Sequence, residues 1–138
     1  MQIERVEDMV VYQRAMELWE AINALRKRPE FLQDLRLRDQ LADASDSVVS
    51  NIAEGFEQPT DRAFANYLYV SKASAAEVRT RLLLAFKRGY LTEGEHHLRC
   101  DLAEQVGRLA TGWIKYLLRS DRRDRGINRR SEPTGRRS

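Results

Sequence analysis

The sequence predicts an all-α fold, an up-down-up-down antiparallel four-helix bundle followed by a disordered basic C-terminal tail. Three observations predict it. Apolar residues recur at three- and four-residue steps in four long stretches. Short links carrying proline, glycine or a capping residue separate those stretches. No window shows strand-like alternation or a hairpin signal. Links this short make successive helices antiparallel neighbours, and heptad-like steps favour shallow crossings.

The first helix is predicted over about residues 9–27. Val11, Ala15, Leu18, Ile22 and Leu25 share one face, Asp8 supplies the N-cap, and Pro29 ends the segment. The second is predicted over about residues 30–55, with Leu37, Leu41, Ala44, Val48 and Ile52 on its apolar face and Gly55 as its stop. The third begins at a Thr60 N-cap after Pro59 and carries Phe64, Leu68, Ser71, Ala75, Val78, Leu82 and Ala85. It closes at KRGYL, where Gly89 suits a left-handed C′ position and Tyr90 folds back on the last turn. Thr92 and Glu95 form a capping box for the fourth helix, about residues 93–119, whose stripe is Leu98, Leu102, Val106, Leu109, Trp113 and Leu117. Residues 1–119 are thus one bundle, and residues 120–138, with a single apolar side chain, form the tail.

The bulk numbers agree. A chain of 138 residues is one domain by length, and 42% apolar with 33% charged residues is a water-soluble composition. The start, MQIERVED, has no basic segment followed by an apolar core, and no window approaches the ~18 apolar residues of a spanning helix. Cys100 has no second cysteine to pair with, so a reducing, cytoplasmic setting without membrane contact is expected. The net charge of +3 is unevenly spread: residues 119–138 hold eight arginines against three acids, whereas residues 1–118 hold 16 bases against 18 acids.

Catalytic and metal chemistry find little support. A di-metal bundle needs two Glu-x-x-His pairs, and the chain offers Glu93 and His96 once, with only two histidines in all. Ser50 and Ser74 have no histidine nearby in sequence, and Cys100 reads as a half-buried small side chain. No glycine-rich phosphate loop is present. The sequence therefore predicts no enzyme, no cofactor and no metal.

Two features remain. The run SVVSNIAEG places Ser50, Asn51, Glu54 and Gly55 at the end of the second helix, and KASAAEV places Ser74 and Glu77 among small residues on the third. These are read as a polar seam that fixes helix register, with partners expected for both carboxylates because a buried charge is costly alone. The arginines Arg119, Arg122, Arg123, Arg125, Arg129 and Arg130 are the candidate nucleic-acid contacts, since guanidinium groups neutralise phosphates. A solvated tail that only aids solubility is the alternative. A local cluster, Arg26, Lys27 and Arg28, is a further candidate contact. Tyr12, Met16, Trp19, Tyr67, Val70 and Phe86 widen the apolar faces of the first and third helices, and a homo-oligomer would bury that surplus.

MVVYQRAMELW, DQLADASDSVVSNIAEGFE and FANYLYVSKASAAEVRTRLLLAFKRGYL resemble the bacterial four-helix-bundle proteins encoded in intervening sequences of 23S ribosomal RNA genes, over about residues 8–118. The run EQVGRLATGWI is similar to the C-terminal helix of the related accessory variability proteins of diversity-generating retroelements. The resemblance implies a non-enzymatic bundle assembled into pentameric rings with a basic surface for RNA or DNA. In the retroelement branch it also implies a reverse-transcriptase partner. Two features depart from that pattern: Ala73 stands where the family often has glycine, and the strong positive charge here is confined to the tail.

Overall fold

The computed structural model describes residues 3–123, with side chains described through Ser120. After a 3₁₀ turn, Val6–Asp8, the helices are α1 Val10–Asn23, α2 Pro29–Leu32, α3 Leu35–Phe56, α4 Asp61–Lys87 and α5 Glu93–Arg123. The four long helices form the bundle. α3 packs on α4, α4 on α5, and α1 on both α3 and α5. α1 and α4 therefore stand on one diagonal, α3 and α5 on the other.

The predicted apolar faces of α1, α3 and α4 all enter one core. On α5 the face is turned slightly from the expected one. Leu98 is exposed, and Ala103, Val106, Ala110, Trp113, Ile114 and Leu117 make the contact. In place of Leu98 the bundle buries Arg99, only 8% exposed. Its Nε donates to the Ala21 carbonyl at 2.9 Å and its Nη1 to the Glu95 carbonyl at 3.1 Å. The guanidinium thus supplies a donor to the end of α1, where helix carbonyls lack intrahelical partners.

Helix boundaries follow local chemistry, with three corrections. Asp8 does not cap α1: it lies in the 3₁₀ turn, Met9 holds the N-cap position, and no side chain caps it. The predicted second helix is broken into α2 and α3 at Gln33–Asp34, because Asp34 takes up an N-cap role and accepts from Leu37 N–H at 3.4 Å. The same carboxylate accepts from Arg88 Nη1 at 2.7 Å and from the Tyr90 hydroxyl at 2.9 Å. The Tyr90 hydrogen bond, then those from Leu37 and Arg88, hold its pKa below the ordinary value. Gly55 does not end α3, which runs through Phe56.

The other end signals form as expected. Thr60 Oγ1 accepts from Ala63 N–H at 3.1 Å. Gly89 has φ of 81°, and the bonds Gly89 N–H to Phe86 O and Tyr90 N–H to Ala85 O complete a Schellman motif. The capping box is reciprocal: Glu95 N–H donates to Thr92 Oγ1 at 3.1 Å, and Thr92 N–H to Glu95 Oε1 at 2.9 Å. α5 extends beyond the expected end at residue 119 to Arg123.

Glu95 also takes a bidentate pair from Arg28, joining the α1–α2 link to the start of α5. Arg28 and then the Thr92 N–H lower the Glu95 pKa to about 2. A depressed carboxylate pKa stabilises the fold above the unfolded value of about 4.5, and that contribution disappears as pH falls toward about 2. Glu95→Gln keeps the capping geometry and removes the charge. It is expected to cost up to about 1 kcal/mol at neutral pH, since the pair is partly exposed. Urea unfolding of the two proteins should converge as pH drops from about 5 to about 2.

Candidate nucleic-acid interface

The α3–α4 contact contains the seam. Ser47 Oγ and Ser74 Oγ lie 2.7 Å apart, and Asn51 Nδ2 donates to Ser47 O at 2.8 Å and Ser47 Oγ at 3.0 Å. Deeper, Ser71 Oγ donates to the Val48 carbonyl at 2.7 Å, a bond directly between the two helices. Gly55 completes the contact by close approach. A Cβ there would sit 2.7 Å from Tyr67 Cβ and 2.9 Å from Phe64 Cδ1.

Of the residues assigned to this seam from sequence, the structure places Asn51, Gly55 and Ser74 at the contact. Ser50, Glu54 and Glu77 are exposed instead. Ser47, which helical spacing puts on one stripe with Asn51 and Glu54, makes the contact, whereas Ser50 lies roughly 100° round the helix from Asn51. Glu54 shares the Ser47 stripe, yet its carboxylate stays in water, where a charge avoids desolvation. Glu77 pairs along its own helix with Arg81 at 3.7 Å. Ser50 and Glu54 instead continue an outward stripe with Asp39, Asp43, Asp46 and Glu57, every member exposed.

Across the bundle the exterior has the opposite sign. Neither residues 62–76 of α4 nor residues 105–120 of α5 include an acid. These stretches run side by side, as the Phe64–Trp113 ring contact at 6.1 Å shows. They carry Arg62, Lys72, Arg108, Lys115 and Arg119, all exposed or half-exposed. Arg108, Lys115 and Arg119 recur on one face of α5 at seven- and four-residue steps. Between the helices lies an open groove of about 430 Å³ lined by the small residues Ala75, Ala76, Ala103 and Gly107, with Lys72, Arg79, Glu104 and Arg108 around them. Arg79 crosses it to Glu104 at 3.2 Å.

The groove continues toward His96 and Cys100. His96 stacks on Phe86 with centroids 4.8 Å apart, and its Nε2 lies 3.3 Å from Cys100 Sγ. The sequence reading of Cys100 as a half-buried small side chain did not include this contact, although the four-residue spacing on one helix carries it. Burial raises the thiol pKa, the reverse of nucleophile activation. Among the described residues no three His, Cys, Asp or Glu side chains converge as a metal site.

Of the candidate arginines, Arg119 lies at the end of the cationic face. The side chains of Arg122 and Arg123, and Arg125, Arg129 and Arg130 entirely, lie outside the described residues. In the other cluster Arg26 and Lys27 are exposed, while Arg28 is engaged by Glu95. The exposed apolar surface is distributed differently from the expectation, with Leu32, Leu35, Leu83 and Leu98 also exposed. Tyr12, Met16, Trp19, Tyr67 and Phe86 are half-buried, leaving Val70 beside Tyr69 as an exposed pair, 49% and 51% exposed.

Fold and surface together define an all-helical bundle protein with a charge-polarised exterior. The family model described as 23S rRNA-intervening sequence protein matches residues 7–112, and the chain belongs to that family. Among solved structures, the chain is similar to a protein of unknown function from the S23 ribosomal protein family of Bacteroides thetaiotaomicron. They share 21% identity over 77% of this chain and 99% of that one, with a TM-score of 0.70. At that identity the likeness establishes the fold alone. No curated protein matches the chain. Among the described residues no helix is long and apolar enough to cross a membrane.

Proposed function

We propose that this protein is a non-catalytic, self-associating bundle that associates with nucleic acid or a ribonucleoprotein. The observation that carries the reading is the acid-free cationic face of α4 and α5, formed by Arg62, Lys72, Arg108, Lys115 and Arg119. Phosphate neutralisation needs clustered cations without interleaved carboxylates; the one acid lining the groove, Glu104, is paired with Arg79, and Lys72 and Arg108 stand beside the small-residue floor. The chain leaves this face directly into the remaining arginines of its C-terminal segment. The mildly acidic total of residues 1–118 does not conflict with this, because the acids are concentrated elsewhere on the bundle.

The test is fluorescence anisotropy of labelled RNA and DNA duplexes at several salt concentrations, with sedimentation velocity under the same conditions to report assembly. The wild-type chain is compared with Lys72→Glu/Arg108→Glu/Lys115→Glu and with Arg125→Gln/Arg129→Gln/Arg130→Gln. Each triple variant should weaken binding and flatten the log-log salt slope by roughly 2–3. Absence of binding by the wild-type chain ends the nucleic-acid reading. A second reading, a docking scaffold for a partner enzyme such as a reverse transcriptase, draws on the exposed Tyr69–Val70 pair beside the cationic face. It predicts weak binding of free RNA and tight binding of the enzyme.

A further inference from the structure

We propose that the outer face of α3 is the docking surface for the chain's own C-terminal segment, residues 124–138, so that nucleic acid must displace the arginines from the bundle. This rests on the reading of those arginines as nucleic-acid contacts. Asp39, Asp43, Asp46, Glu54 and Glu57 lie on one exposed stripe, and residues 39–60 contain no lysine or arginine at all.

That stripe is electrostatically uncompensated by the bundle. Asp39 meets Arg38 at 3.2 Å and Asp46 accepts from the Trp19 indole at 2.6 Å. Asp43, Glu54 and Glu57 form no ion pair with described residues. Like charges three and four residues apart on a helix repel. Glu54 and Glu57 add a second cost, since they sit at the negative end of the α3 dipole and no basic residue occupies the last turn.

Topology brings the compensating charge to the same end of the bundle. α3 and α5 are both antiparallel to α4, so their C-terminal ends share one end of the bundle. Phe56, Phe64 and Trp113 form a chain of ring contacts there, each step 6.1 Å between centroids. The chain leaves α5 at this end and continues with Arg125, Arg129, Arg130, Arg136 and Arg137 against only Asp124 and Glu132. Fifteen residues extended reach about 50 Å, while the stripe from Glu57 back to Asp39 is about 27 Å long. Because α3 and α5 stand at opposite corners, part of that reach goes to rounding the bundle, and what remains is enough to bring arginines to the Glu54–Glu57 end of the stripe.

The same physics makes the docking reversible. The stripe presents one carboxylate per roughly 7 Å, whereas duplex nucleic acid presents one phosphate per roughly 1.7 Å. A phosphate backbone outcompetes α3 for the same guanidinium groups, and its binding frees the acidic face.

Two measurements on the full chain test this. A nitroxide on Ser138→Cys, in a Cys100→Ser background, should broaden the amide resonances of the outer α3 residues at low salt and release them at high salt. An α3 face left sharp at low salt overturns the proposal. The second measurement is anisotropy with a labelled RNA duplex, using Asp43→Asn/Glu54→Gln/Glu57→Gln with and without glutamine at the five tail arginines. If the segment is free one-fifth of the time, the α3 variant tightens RNA binding roughly fivefold. That gain should vanish when the tail arginines are removed; an equal gain in both backgrounds reflects general charge and overturns the proposal. Failure of every protein to bind RNA ends the nucleic-acid reading, and the broadening result then decides the docking alone.

Discussion

Trp113→Ala is expected to destabilise the protein by about 3–5 kcal/mol. Trp113 is 2% exposed and is among the largest buried side chains. Its ring lies 6.1 Å from Phe64 and 5.7 Å from Tyr116, and Phe64 in turn meets Phe56 edge-on. Truncation would leave a cavity where α3, α4 and α5 converge, and surrounding helices held by the seam can collapse into it only in part. Chemical denaturation followed by circular dichroism at 222 nm measures the loss as a lower midpoint. The control is Trp19→Phe. That indole is half-exposed and contributes one hydrogen bond to Asp46 at 2.6 Å, so a cost near 1 kcal/mol is expected. Equal losses from the two substitutions would refute the placement of Trp113 at the centre of the core.

Gly55 gives the second prediction, and its sign runs against helix propensity. In a helix interior, alanine is favoured over glycine by about 1 kcal/mol. Here the added Cβ would fall 2.7 Å from Tyr67 Cβ, an atom tied to the α4 backbone that cannot swing aside. Overpacking of this kind costs about 1–3 kcal/mol, so Gly55→Ala should be net destabilising by up to about 2 kcal/mol. Gly55→Val adds two further carbons and a β-branch and should cost more. The same denaturation series decides it, and a stabilised Gly55→Ala would mean that α3 and α4 do not approach so closely. Gly107, whose Cβ position is open, should follow propensity and gain stability as alanine.

Much of the fold is legible in the chain because it depends on local repetition. The buried residues of α1, α3 and α4 follow steps of three and four, and Thr60, Gly89 and the Thr92–Glu95 box mark ends whose hydrogen bonds close within a few residues. The candidate site is legible only in part. Counting charges finds the arginines at the C-terminal end, but the cationic face appears only when an acid-free stretch of α4 lies against an acid-free stretch of α5. Their residues are some 40 positions apart, and no periodicity within one helix links them.

The sequence by itself determined four apolar stripes, the end signals at Thr60, Gly89 and Thr92–Glu95, one core and family membership, since each rests on side chains close along the chain or on recognisable segments. Tertiary structure alone decided the rest. It broke the second helix at Asp34, whose carboxylate is claimed by Arg88 and Tyr90 from more than 50 residues away. It buried Arg99 in place of Leu98 because the end of α1 needs a donor. It made Gly55 a contact point instead of a stop, and turned Ser50 and Glu54 outward into an acidic face. The physical reason is common to all four: helix periodicity sets which side chains share a stripe, but burial, pairing and close approach depend on what the neighbouring helix presents opposite that stripe.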